Sequence, residues 1–107
     1  MKITIWEQKI VTSVIAYKKE MSFDISGKTI SVVLYSKQED TNCKYLVGIE
    51  INKNYHHVND GTGEYETESD FINDTIGTAV GSLFDGYEEV NCIQEEVIKV
   101  AKEENLI

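Results

Sequence analysis

Between Met21 and Leu34 the chain alternates apolar and polar residues with a period of two. Met21, Phe23 and Ile25 stand on one side of a turn at Ser26-Gly27-Lys28, and Ile30, Val32 and Leu34 stand on the other. Successive side chains of a strand point to opposite faces, so the pattern specifies a β-hairpin with one apolar face. A one-residue slip in register would turn that whole face to water. A polar loop, Lys37 to Asn42, leads to a third run in which Tyr45, Val47, Ile49 and Ile51 alternate with Gly48 and Glu50. Three antiparallel strands with a common buried face follow, and they need a cover.

The cover is legible further on. Thr67-Glu68-Ser69-Asp70 has the form of a capping box with Asp in place of Glu, so a helix begins near Thr67 or Ser69. Ile72, Ile76, Ala79, Val80 and Leu83 recur at helical spacing as its buried stripe, and Asp85-Gly86 supplies a stop. A second helix is expected from Asn91, burying Ile93, Val97, Val100 and Ala101, with Glu95 and Glu96 near its positive end and Lys99 and Lys102 toward its negative one. Upstream, Ile3 and Ile5 alternate as in a strand. Lys9–Tyr17 fits two descriptions: Ile10, Val11, Val14 and Ile15 match helical spacing, while five of the eight residues Ile10–Tyr17 are β-branched, and the balance falls to strand. Asn52 to Asp60 reads as a polar, turn-rich connection. The expected fold is one α+β domain over residues 1–107: an antiparallel β-meander of three to five strands followed by two C-terminal helices packed on the sheet.

Charge divides the chain in two. Residues 1–53 carry eight Lys and six acids, a net of +2, and residues 54–107 carry two Lys and thirteen acids, a net of −11, for −9 overall. Asp60 to Glu96 holds eleven carboxylates and no Lys or Arg in thirty-seven residues. Glu64, Glu66, Glu68 and Asp70 occupy every second position; in an extended segment their carboxylates would form a row at about 6.7 Å spacing. On the helix that follows, Asp70, Asp74, Gly77, Gly81 and Asp85 fall opposite the buried stripe. Interior glycines cost about 1 kcal/mol each relative to Ala, so something approaches closely there, either another part of this chain or a partner.

Several functions are disfavoured by what the chain contains. All ten cations are Lys, and an acidic chain without Arg is unsuited to gripping phosphates, so direct nucleic-acid binding is not expected. A calcium loop starting at Asp60 would need Gly at Tyr65 and Glu at Phe71. His56 and His57 are adjacent, with no further Cys or His at ligand spacing, and Gly61-Thr62-Gly63 is not followed by the Lys of a phosphate loop. Cys92 is surrounded by Glu88, Glu89, Glu95 and Glu96, which oppose a reactive thiolate. No metal, no cofactor and no catalytic residue are expected. With no signal-like stretch in MKITIWEQKI and no long apolar run, the expected location is the cytoplasm, without membrane attachment.

The element order and the Arg-free acidic composition over Met21–Glu104 resemble those of some phage-encoded anti-CRISPR and other DNA-mimic inhibitor proteins. The resemblance is one of layout and composition. It implies a non-enzymatic decoy that binds a basic nucleic-acid-binding protein, such as a CRISPR nuclease, in a bacterial host. The expected binding face comprises Glu64, Glu66, Glu68, Asp70, Asp74, Gly77, Gly81, Asp85, Glu88 and Glu89, with Tyr65 and Tyr87 as aromatic anchors. Alternatives are an immunity protein neutralising a basic toxin, an accessory domain whose acidity keeps it soluble, and a small-ligand site built on Glu50, His56 and His57.

Overall fold

A computed structural model describes the backbone of residues 2–11, 15–38, 44–58 and 65–107, and the side chains of 18–37, 45–58 and 65–107. Among the described residues five strands form one antiparallel sheet in sequence order: β1 (Lys2–Val11), β2 (Ile15–Ile25), β3 (Lys28–Gln38), β4 (Lys44–Ile51) and β5 (Asn54–His57). Two helices follow, α1 (Glu68–Val80) and α2 (Tyr87–Glu103), joined through a 3-10 turn at Gly81–Leu83. The sequence-based layout is the observed one, and the segments Lys9–Val11 and Ile15–Tyr17 are strand. No helix among the described residues is long and apolar enough to cross a membrane.

The hairpin follows its pattern closely. Met21 pairs with Val32 and Phe23 with Ile30, and all four are buried on the face that the helices cover. The turn places Ser26 and Gly27 at φ of 51° and 75°, the mirror-image geometry that matches strand twist, and glycine tolerates the second position without strain. Ile72, Ile76 and Val80 of α1 and Ile93, Val97, Val100 and Ala101 of α2 close over this face, each larger side chain contributing roughly 1.5–3 kcal/mol by leaving water.

β4 departs from simple alternation. Tyr35 pairs with Gly48 but Ser36 pairs with Leu46, so Val47 is an extra residue in a β-bulge. The bulge turns Leu46 into the core, where it is 4% exposed, and puts Tyr45, expected on the buried side, at 37% exposure. β5 lies within the stretch Asn52 to Asp60, where a polar connection is expected. It forms because Asn52 and Lys53 take φ of 49° and 72° and close a second two-residue turn. Asn52 also brackets Ser31 of β3: its side-chain oxygen accepts from the Ser31 amide at 2.9 Å, and its own amide donates to the Ser31 carbonyl at 2.9 Å.

Both helices differ from expectation at their junction. α1 is capped by Thr67, whose Oγ1 accepts from the Asp70 amide at 3.2 Å, but it ends at Val80 rather than near Asp85-Gly86. Phe84 then turns extended and packs partly against the core, and Leu83, expected in the buried stripe, is left 38% exposed. α2 starts at Tyr87, not Asn91, behind an extended Gly86, and so buries Val90 as well. It ends in a Schellman motif, with Asn105 at φ 58°, Leu106 N–H donating to Ala101 O at 2.9 Å and Asn105 N–H to Lys102 O at 3.1 Å.

Two contacts fix α2 along β2. Ser26 Oγ donates to Glu89 Oε1 at 3.3 Å at one end, and Lys19 Nζ pairs with Glu104 Oε1 at 2.9 Å at the other. Fifteen residues of helix and seven of strand both span about 23 Å, so helix and strand match in length.

Lys53 holds a left-handed conformation that L side chains adopt at a cost of roughly 1–2 kcal/mol, part of which glycine recovers. Lys53→Gly is expected to raise stability by about 1 kcal/mol, read as a higher urea midpoint with an unchanged slope. An unchanged or lower midpoint would contradict this account of the β4–β5 turn.

Candidate interaction surface

The carboxylates expected to bind a partner are distributed over the outside of the helical layer. Glu66, Glu68, Asp70, Asp74, Asp85 and Glu88 are all exposed, and Glu89 is half-buried as the acceptor for Ser26. Glu64 lies outside the described residues. The alternating row does not form, because Glu68 and Asp70 already belong to α1, where two residues subtend about 200° rather than one strand repeat. Helical spacing instead brings Asp70 and Asp74 onto neighbouring positions of one face, a like-charge pair that weakens the helix by about 0.2–0.5 kcal/mol. The positive end of the helix dipole offsets this at Asp70, and the Tyr65 hydroxyl, donating to Asp74 Oδ2 at 2.7 Å, offsets it at Asp74.

The two aromatic candidates differ. Tyr65 is 39% exposed and folded back on α1, its ring edge-on to Phe71 at 5.6 Å. Tyr87, in the first turn of α2, is 82% exposed. The single face expected for Asp70, Asp74, Gly77, Gly81 and Asp85 divides. Asp70 and Asp74 point to solvent, Gly77 is half-buried beside α2, where Gln94 Nε2 donates to Asn73 O at 2.8 Å, and Asp85 lies beyond the end of α1. The cations of the helical layer, Lys99 and Lys102, sit near the C-terminal end of α2 and match its dipole.

A second grouping lies on the sheet face away from the helices. The register aligns Glu20, Val33, Glu50 and Tyr55 in one row and Lys18, Tyr35, Gly48 and His57 in the next. Tyr35 Oη donates to Glu50 Oε2 at 2.9 Å, the rings of Tyr35 and Tyr55 meet edge-on at 5.4 Å, and Tyr55 meets His57 at 6.3 Å. Gly48 makes this possible: a Cβ there would stand 2.7 Å from Tyr55 Cε2, so the phenol lies across the bare backbone of β4. Val33, with no helix over it, is only 6% exposed beneath these neighbours. An isolated glycine inside a strand was the sequence signal for this packing.

The same register separates the residues of the small-ligand alternative. Glu50 and His57 share the outer face, His56 pairs with Ile49 on the opposite one, and Glu50 is engaged by Tyr35. Among the described residues no three His, Cys, Asp or Glu side chains come together as a metal-ligating group, and Cys92 is a half-buried thiol on α2. The chain matches no protein family, no curated protein and no solved structure.

Burial, then the hydrogen bond to Glu50 and its negative charge, with smaller contributions from Glu20 and Tyr55, push the Tyr35 hydroxyl up to about 12 from its ordinary 10.0. The raised value favours the folded state fully below pH 10.0, and that contribution is lost between 10.0 and about 12, where the unfolded chain ionises and Tyr35 does not. Alkaline unfolding curves are therefore expected to fall less steeply over this interval in Tyr35→Phe than in the native protein. Identical slopes would remove Tyr35 from the account.

Proposed function

We propose that the protein is a non-catalytic binding module whose acidic helical layer occupies a basic, nucleic-acid-binding surface of another protein. One observation carries the reading: Glu66, just before α1, and Glu68, Asp70, Asp74, Asp85 and Glu88, on and between α1 and the start of α2, are all exposed, and no Lys or Arg occurs between Lys53 and Lys99. A surface with one sign of charge repels phosphates and draws in Lys- and Arg-lined grooves, speeding encounter and excluding neutral or acidic partners. Carboxylates spaced along two helices compete for the same cations that hold a nucleic-acid backbone. The partner class in this reading is a nucleic-acid enzyme, such as the CRISPR nucleases that the resemblance in layout implies, and the location is the bacterial cytoplasm. Exposed charges act across a Debye length of about 8 Å at physiological ionic strength, so the interaction is salt-dependent.

The test is capture from a nuclease-treated bacterial lysate at low and high salt, with native protein beside the variant Glu66→Gln, Glu68→Gln, Asp70→Asn, Asp74→Asn. The expected outcome is salt-sensitive retention of a nucleic-acid enzyme by native protein alone. Equal retention by both proteins, or none by either, would reduce the acidic layer to a solvated surface.

A further inference from the structure

α1 lacks side chains at Gly77 and at its cap, Gly81, and packing within the chain demands glycine at neither. At Gly77 a Cβ would stand 3.4 Å from Gln94 Nε2, an ordinary contact with the end of a flexible side chain. At Gly81 φ is −59° and ψ −33°, ordinary right-handed backbone, and a Cβ would meet nothing within 4 Å. Neither backbone conformation nor internal packing calls for glycine there, and at Gly77, inside the helix, its cost relative to Ala is about 1 kcal/mol.

The missing side chains leave open a cleft between α1 and α2 of about 330 Å³, lined by Asp74, Gly77, Thr78, Gly81, Tyr87 and Gln94. It holds the Asp74 carboxylate, whose Oδ2 also accepts from Tyr65, together with Tyr87, which is 82% exposed, the polar side chains of Thr78 and Gln94, and the buried apolar side chain of Val90. We infer that this cleft takes an arginine side chain of the partner. A guanidinium stacks on an aromatic face, presents a planar fork to a carboxylate, and is more weakly hydrated than an ammonium. The inference rests on the acidic layer being the binding surface and names the anchor within it, turning diffuse attraction into a fixed register.

Gly81→Leu fills the cleft and leaves every charge in place, and Tyr87→Ala removes the aromatic wall at a position too exposed to matter for folding. The experiment is titration of native protein, both variants and the four-fold neutralised variant with hexa-arginine and hexa-lysine peptides at one salt concentration. Amide shifts of the protein give the affinity, and urea unfolding checks the fold. Native protein is expected to prefer hexa-arginine, and each single variant to lose about tenfold in affinity for it while hexa-lysine binding barely changes. If both single variants bind hexa-arginine as native does and only the neutralised protein fails, the acidic layer binds but the cleft is not its anchor. Equal affinity of native protein for the two peptides overturns the arginine assignment. If the neutralised protein binds as well as native, the cleft and the acidic-layer reading fall together.

Discussion

An antiparallel sheet with one apolar face has no stable existence in water until that face is covered, and here the cover is the helical hairpin. Met21, Phe23, Ile30, Val32 and Leu34 present the face, and α2 lies along β2 with its ends fixed by Ser26–Glu89 and Lys19–Glu104. The inner stripes of α1 and α2 are committed to this packing. Their outer faces are released from it, and that is where the carboxylates stand. A surface helix needs an apolar stripe only on its inner side, so the charge of the outer side varies without disturbing the core.

What the sequence made legible follows from periodicity. The hairpin, the Thr67 cap, and the stripes through Ile72 and Ile76 and through Ile93 and Val97 repeat over enough residues to outvote local exceptions. The features that escaped are single-residue events. Val47 interrupts β4 once, and ahead of it Tyr45 and Leu46 exchange the faces that strict alternation assigns them. β5 is four residues long, too short for a pattern, and is held by a left-handed Asn52-Lys53 turn that lacks the usual glycine. At the α1–α2 junction, Phe84 reaching the core overrides the helical continuation that Leu83 fits.

The candidate surface was legible as composition and not as geometry. Carboxylate positions could be counted, but their arrangement depended on where α1 begins, which dissolved the extended row and made Asp70 and Asp74 neighbours. The two tyrosines within the acidic stretch, Tyr65 and Tyr87, were indistinguishable in sequence. Structure divides them, binding Tyr65 to Asp74 and Phe71 and leaving Tyr87 open beside Gly81.

The order of elements has a consequence for how the protein is made. A ribosome produces strands β1 to β5 before it produces the residues that cover them, and the Schellman motif that closes the cover involves Leu106, after the end of α2. Until then the nascent meander exposes its apolar face, the kind of surface that aggregates or recruits a chaperone. Docking of the acidic hairpin therefore ends that vulnerable interval and completes the outward-facing charged layer in the same step.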